Sequence, residues 1–137
     1  LELVVVSTVF ETEAWGYSDS AYLNIAACFR SNLPARELMQ ISREIEQKAG
    51  RLKSRKPKDS DYQARTLDID ILFIDQEQIE DFDIEIPHPR LHLRNFVLYP
   101  LAEIDADFIH PVLKRTIGEL KNTSPDKSEI KRFERGI

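Results

Sequence analysis

Residues 67–74 read as one apolar strand that carries two aspartates, Asp68 and Asp70. Alternate side chains of a strand share a face, so both carboxylates are expected to point away from Ile69 and Ile71. Two carboxylates about 7 Å apart repel each other, so this arrangement is stable only with a cation between them. Mg²⁺ prefers oxygen ligands and binds through one or two carboxylates plus substrate phosphates. The run therefore predicts a central strand with a metal-dependent phosphate site.

From the two residues alone, an alternative stays open: a strand at the edge of a sheet, with both carboxylates in solvent. Arg65, just upstream, favours the phosphate interpretation because a guanidinium can bind phosphate through two hydrogen bonds. Five Lys and Arg residues also lie between Arg51 and Lys58, in a chain of net charge -5. A local basic loop suits a compact polyanion such as ATP, although a solvated charged loop explains the same residues.

Composition narrows the functional class. The chain has 137 residues, which fits one domain. Its net negative charge argues against general nucleic-acid binding, and no apolar run is long enough to span a membrane. A single cysteine fits a reducing compartment, so a cytoplasmic location is expected. The four glycines form neither a P-loop nor a Rossmann turn, so phosphate must be held by side chains and metal.

The hydrophobic pattern mixes strands and helices with few βαβ repeats, which predicts an α+β sandwich. Gly50 is expected to end the first helix, and Pro100 to kink or divide the second. The predicted elements are strands over residues 1–12, 21–31, 67–74 and 79–86, helices over 34–49, 93–104 and 116–120, a loop over 51–63 and a charged C-terminal tail. In the second strand, Leu23, Ile25 and Phe29 are expected on the core face.

Residues 64–72, with the sequence ARTLDIDIL, resemble the signature of the 6-hydroxymethyl-7,8-dihydropterin pyrophosphokinases, a family of folate biosynthesis. The resemblance covers residues from about 2 to 110. Further family motifs occur in the same order at Thr12–Gly16, Tyr22–Asn24, Gly50–Arg51, Ile86–Arg90 and Arg94–Leu101. The resemblance implies a ferredoxin-like sandwich whose mainly antiparallel sheet is flanked by helices. It also implies a single pyrophosphokinase domain over residues 1–137 that lacks an N-terminal strand and helix.

The resemblance implies an ATP-dependent diphosphokinase. The pterin hydroxyl would attack the β-phosphorus of ATP, and AMP would leave. Asp68 and Asp70 would hold two Mg²⁺ ions, Asp68 would also lie near the attacking hydroxyl, and Arg51 and Arg65 complete the implied catalytic set. The implied partners are ATP and the pterin, with neither nucleic acid nor membrane, and a monomer is expected.

Two binding surfaces follow from the same resemblance. The ATP side comprises Met39, Arg43, Glu46, Arg51, Lys53, Arg65, Ile71, His88, Pro89 and Arg94. The pterin side comprises Thr12, Ala14, Trp15, Tyr22, Asn24, Asp68 and Phe96. Tyr22 and Phe96 would stack on the ring while Asn24 and Thr12 bind its edge. From the residues alone, core packing of the two aromatic rings and an ion pair between Arg43 and Glu46 remain alternatives.

Two other functions stay open. A different Mg²⁺-dependent phosphoryl or nucleotidyl transferase could use the same aspartate pair, and it would release ADP or pyrophosphate. A non-catalytic domain with a nucleotide or pterin pocket would bind its ligand without turnover. The combination of Asp68, Asp70, Arg65 and His88 favours an enzyme, because binding alone does not require all four.

Overall fold

A computed structural model describes residues 1–13, 21–53 and 67–134. The elements are β1 Glu2–Val6, β2 Phe10–Glu13, β3 Ala21–Asn24, β4 Ala27–Arg30, α1 Ala35–Lys53, β5 Ile79–Glu80, β6 Glu85–Ile86, a 3-10 turn Leu91–Leu93, α2 Asn95–Asp105, α3 Ile117–Asn122 and β7 Ile130–Arg132. All strand pairs among the described residues are antiparallel. This confirms the predicted α+β class with a mainly antiparallel sheet, as in a ferredoxin-like fold.

A hairpin that is broken at its middle replaces the two long strands predicted over residues 1–12 and 21–31. Its outer part pairs β1 with β4, and its inner part pairs β2 with β3. Ser7 joins the two parts: its N–H donates to the Ala26 carbonyl (2.8 Å), and its hydroxyl accepts from the Ala26 N–H (3.0 Å). A buried serine hydroxyl therefore substitutes for a ladder partner where the regular pairing stops.

The prediction of a core face on this hairpin is wrong. Leu23, Ile25 and Phe29 are each more than half exposed, whereas Ala26, assigned to the opposite face, is buried. The break at residues 25 and 26 interrupts the two-residue alternation, so side chains on either side of it no longer share a face. β1 is exposed along its whole length as well.

The hydrophobic core lies around α2 and α3 instead. Leu91, Leu98, Ile117 and Leu120 form its buried centre, and Phe73 packs against them from residues 67–74. α3 occurs where it was predicted. Its first turn is held by a capping box, in which the Thr116 side chain and the Glu119 side chain each accept the other's backbone N–H.

Two helices run past the residues expected to interrupt them. α1 continues through Gly50 to Lys53, where the prediction ended it at Gly50. A glycine that ends a helix adopts a left-handed φ, and the φ of Gly50 lies outside that region. The helix therefore continues through it. α2 is not divided at Pro100, whose ring is fully buried. Burial of the ring offsets the single backbone hydrogen bond that proline removes.

The segment with the two aspartates, residues 67–74, is not a strand of any sheet formed by the described residues. We call it the aspartate segment. Two of its backbone groups have partners among the described residues: the Ile69 N–H donates to the Glu46 carboxylate, and the Leu72 carbonyl accepts from the His88 N–H (3.0 Å). The predicted central strand is therefore corrected to an irregular segment that two neighbouring elements hold.

Residues 79–86, predicted as one strand, form the two-residue strands β5 and β6 of a tight hairpin. The N–H of Asp81 donates to the Ile84 carbonyl (2.9 Å) and so closes the turn between them. The predicted C-terminal tail also differs, because β7 pairs with β2 in the sheet order β3-β2-β7. α2 packs against all three of these strands.

Glu103 of α2 joins the strands on which the helix rests. Its carboxylate accepts from the N–H and hydroxyl of Thr8 and from the guanidinium of Arg132 (2.8 Å). The backbone hydrogen bond from Thr8, followed by the Arg132 hydrogen bond, lowers the pKa of Glu103 despite some opposing desolvation. The carboxylate therefore stabilises this contact in its ionised form.

Candidate active site

A cavity of about 350 Å³ lies where α1, the aspartate segment and the chain leaving β6 meet. It is lined by Met39, Ser42, Arg43 and Glu46 of α1, by Asp68, Ile69, Asp70 and Ile71 of the aspartate segment, and by Glu85, Ile86, His88 and Pro89. Eight of these twelve residues belong to the site expected from the sequence. The fold therefore brings together residues that lie up to fifty positions apart in the chain.

The α1 wall follows from helical spacing. Met39, Arg43 and Glu46 are separated by four and three residues, so they lie on one face of the helix. Ser42 also lines this wall, and its hydroxyl donates back to the Leu38 carbonyl (3.1 Å). The sequence interpretation missed Ser42, although its position three residues after Met39 is a signal that could have found it.

Glu46 connects this wall to the aspartates. One of its carboxylate oxygens accepts the backbone N–H of Ile69, the residue between Asp68 and Asp70, at 2.6 Å. A hydrogen bond to an ionised carboxylate is shorter and stronger than a neutral one, so it fixes the backbone that carries both aspartates. No sequence motif indicated this contact.

Negative charge dominates the cavity. Four carboxylates line it, those of Glu46, Asp68, Asp70 and Glu85, with Arg43 as their basic neighbour on the lining. In the part of the chain that the structure describes, no three or more His, Cys, Asp or Glu side chains form a metal-binding group. Two exposed carboxylates without a complete protein cage fit Mg²⁺, which keeps waters and completes its coordination with substrate phosphate.

His88 forms the third wall together with Pro89. The backbone N–H of His88 donates to the Leu72 carbonyl, and this bond attaches the wall to the aspartate segment. Its ring Nδ1 accepts from the Arg90 N–H at 3.3 Å. Because Nδ1 accepts this bond, the N–H donor of the ring is at Nε2, and it is suited to an anionic group.

A second cavity of about 480 Å³ lies on the other side of this wall, and Glu85, Ile86, His88 and Pro89 line both. It contains His92 and His110. His110 is buried, and its Nδ1 accepts from the N–H groups of Val112 and Leu113 (3.1 Å each). Burial, and then the nearby His92, lowers the pKa of His110. This neutral histidine stabilises a turn, which makes the second cavity a weaker candidate for phosphate chemistry.

Of the residues expected on the pterin side, Asp68 lines the first cavity, whereas Thr12, Tyr22, Asn24 and Phe96 lie elsewhere, on β2, β3 and α2. Thr12 is opposite Tyr22 in the antiparallel register. Tyr22 is 64% exposed, so core packing does not explain it. The buried Nδ2 of Asn24 has no hydrogen-bond partner within the described structure. Phe96 lies in the first turn of α2, beside β2 and β3, and is partly buried.

Other predicted residues are not part of the cavity or are not described. The guanidinium of Arg94 lies 5.7 Å from the centre of the Phe96 ring, and Arg94 is absent from the cavity lining. Ala14, Trp15 and Arg65 lie outside the described residues, as does most of the predicted loop over 51–63. Arg51 and Lys53 are in the last turn of α1, but their side chains lie outside the description.

A cavity lined by four carboxylates, an arginine and a histidine suits an enzyme that binds a metal and phosphate groups. The family model described as 7,8-dihydro-6-hydroxymethylpterin-pyrophosphokinase matches residues 1–106, so the chain belongs to this family. This confirms the resemblance found in the sequence and the predicted enzyme class, a diphosphokinase of folate biosynthesis. ATP as co-substrate also fits the family. No helix in the described ranges is long and apolar enough to cross a membrane.

Named relatives agree with the family. The chain is 34% identical over 122 residues to a 2-amino-4-hydroxy-6-hydroxymethyldihydropteridine pyrophosphokinase of Aquifex aeolicus, covering 88% of this chain and 73% of the relative. It is 40% identical over 100 residues to the Bacillus subtilis protein of the same name, covering 72% and 57%. A folic acid synthesis protein of Dictyostelium discoideum is 31% identical over 125 residues, which is 90% of this chain and 18% of that protein.

Proposed function

We propose that this chain transfers the pyrophosphoryl group of ATP to the hydroxyl of 6-hydroxymethyl-7,8-dihydropterin and releases AMP. Family membership supports the reaction. The location of the reaction is supported by one observation: the same cavity is lined by Asp68, Asp70, Glu46, Arg43 and His88. Carboxylates, an arginine and a histidine N–H donor are the groups that a metal-bound nucleotide needs.

The nucleotide would occupy this cavity. Its apolar side chains Met39, Ile71 and Pro89 offer a surface for the base, while Arg43 and Glu46 can hydrogen-bond polar groups beside it. His88 would donate its Nε2–H to a phosphate oxygen. We assign further phosphate contacts to Arg51, Lys53, Arg65 and Arg94, on the basis of the family resemblance.

Asp68 and Asp70 would hold Mg²⁺, proposed as two ions, which would supply positive charge that offsets the charge of the triphosphate. Glu46 holds the Ile69 backbone between them, so the two carboxylates would keep their spacing when a ligand enters. Asp68 would also orient the attacking hydroxyl of the pterin. Catalysis of this kind depends mainly on positioning and charge stabilisation.

The pterin would bind over β2, β3 and the start of α2. Asn24 carries the strongest support, because its buried Nδ2 donor has no partner within the described structure and a ligand acceptor would satisfy it. Thr12 would share the polar edge, while Tyr22 and Phe96 would contact the ring faces. Ala14 and Trp15 complete this proposed surface.

The organisation of the protein is part of the same proposal. We propose one domain over residues 1–137, a monomeric state and a cytoplasmic location. The length of the chain and its single cysteine support the first and the last of these.

The test is nucleotide product analysis with ATP, Mg²⁺ and 6-hydroxymethyl-7,8-dihydropterin. We expect AMP in step with pterin diphosphate, and no AMP without the pterin. Release of ADP or pyrophosphate would support a different transferase, and tight ATP binding without turnover would support the non-catalytic alternative. Asp107→Asn, which changes an exposed aspartate outside both cavities, is the control for aspartate variants of the site.

A further inference from the structure

Arg36, in the first turn of α1, binds two carboxylates of the β5–β6 hairpin. Its Nη1 lies 3.0 and 3.1 Å from the two oxygens of Asp83, and its Nη2 lies 3.0 Å from Oδ2 of Asp81. The hydrogen bond to Asp83 is the main cause of the raised pKa of this guanidinium. One side chain therefore joins α1 to a hairpin more than forty residues away.

The hairpin turn presents these two carboxylates together. Its backbone is closed by the hydrogen bond from Asp81 to Ile84, and the N–H of Phe82 donates to Oδ1 of Asp81 (2.8 Å). Ile84 is buried and anchors the turn. Of the two carboxylates that face Arg36, that of Asp81 thus accepts a hydrogen bond within the turn, and the ion pairs add a connection between two formed elements.

The position of Arg36 relates it to the cavity. Arg36, Met39, Arg43 and Glu46 follow one another at spacings of three, four and three residues, so they lie on the same face of α1. Asp83 precedes the cavity residue Glu85 by two positions. The Arg36 contact therefore lies at one end of two surfaces that face each other across the cavity.

Three described contacts connect the elements around the cavity. Glu46 and Ile69 join α1 to the aspartate segment, and His88 and Leu72 join that segment to the wall after β6. Arg36 joins α1 to the hairpin from which this wall emerges. We infer that Arg36 is a positioning residue that sets the separation of α1 and the His88 wall, and thereby the affinity for ATP. This inference rests on the proposed function.

The side chain of Arg36 is 61% exposed. An exposed ion pair contributes little to global stability, so loss of Arg36 should leave the protein folded. If Arg36 positions the cavity walls, its loss should instead weaken ligand binding. Because two carboxylates act together, Arg36→Ala should weaken binding of a Mg²⁺-bound non-hydrolysable ATP analogue by about three- to tenfold. The KM for ATP should rise by a similar factor with kcat little changed, since Arg36 is absent from the cavity lining.

The control is Arg30→Ala. It breaks the ion pair between Arg30 and Glu2 (3.2 Å, side chains 69% and 68% exposed), which lies on β1 and β4, away from the cavity. Its analogue affinity should equal that of the unchanged protein. Asp83→Asn should imitate Arg36→Ala without altering α1. The charge exchange Arg36→Asp with Asp83→Arg and Asp81→Asn leaves no carboxylate facing the new aspartate, and it should recover most of the affinity that Arg36→Asp alone loses.

The outcomes separate this inference from the proposed function. Analogue affinity equal to that of the Arg30→Ala control in both Arg36→Ala and Asp83→Asn would overturn the positioning role, even if the unchanged protein makes AMP. So would equal losses in the single and exchanged variants, because they would indicate a general disturbance. Absence of AMP from the unchanged protein would refute the proposed reaction, whereas the analogue affinities would still decide the role of Arg36.

Discussion

The proposed nucleotide side and the proposed pterin side of this protein are built differently. On the proposed nucleotide side, α1, the aspartate segment and the wall after β6 line a cavity. Hydrogen bonds join the aspartate segment to both other walls, and Arg36 joins α1 to the hairpin that leads into the wall after β6. On the proposed pterin side, Tyr22 is mostly exposed, and the buried Nδ2 of Asn24 has no hydrogen-bond partner among the described residues. Walls joined by hydrogen bonds hold their side chains in place before a ligand binds. On the pterin side, the ligand itself would have to supply a partner for Asn24. Substitutions on the two sides should therefore have separable effects.

The largest effect is expected at the aspartates. Asp70→Asn keeps the size of the side chain but removes a charge that the proposed metal requires, so kcat should fall by about a hundredfold or more. The measurement is AMP formation at saturating ATP, pterin and Mg²⁺. Asp68→Ala should behave similarly, and Mg²⁺-dependent turnover near that of the unchanged protein would exclude the assignment.

Glu46→Ala tests the walls of the nucleotide side. It leaves the Ile69 N–H without its carboxylate partner and lets the aspartates shift, so the KM for ATP should rise about tenfold. Glu46→Gln keeps an acceptor oxygen, and its KM should stay within about threefold of the original. Equal effects of the two changes would indicate that the charge matters directly and that the hydrogen bond does not.

Asn24→Ala tests the pterin side. Loss of the donor should raise the KM for the pterin about five- to tenfold and leave the affinity for an ATP analogue unchanged. Asn32→Ala, at an exposed position before α1, is the matched control. If the affinity for the ATP analogue fell as well, the two sides would be coupled and the contrast drawn above would be wrong.

The smallest effect is expected at Glu103, which ties the helix of the pterin side to its strands. Its folded pKa is lowered from 4.5, so its stabilisation is complete above about that pH and is lost as the pH falls through the folded pKa. Glu103→Gln should lower the free energy of unfolding by about 1 kcal/mol at pH 7. In urea unfolding at decreasing pH, the curves of the two proteins should converge. A constant difference between them would mean that the charge is not involved.

Local pattern explains why much of the nucleotide side could be predicted. Helical spacing places Met39, Arg43 and Glu46 on one face, and the motif around His88 provides another wall. The apolar alternation of the aspartate segment predicts a buried strand, but the segment joins no sheet formed by the described residues. What the sequence does not encode locally is the partner of each backbone group, here Glu46 for Ile69.

The same limit applies to the hairpin. The Val-rich alternation predicts long strands. It does not reveal that Ser7 can hydrogen-bond the backbone of Ala26, where one strand ladder ends and the next begins. Arg36 belongs to this group too, since a single arginine at a helix start has no motif. These contacts depend on tertiary distance, which spacing along the chain does not reveal.

The break at Ser7 divides the strands into two units that we expect to differ in stability against local unfolding. Beyond it, α2 packs against β2, β3 and β7, while β1 and β4 form, within the described ranges, a two-stranded ribbon with exposed side chains. Since no continuous ladder links the two, opening of the ribbon need not disturb the covered strands. In hydrogen exchange, the amide protons of β1 and β4 should exchange well before those of β2. The ribbon would then open and close while the proposed pterin surface stays folded.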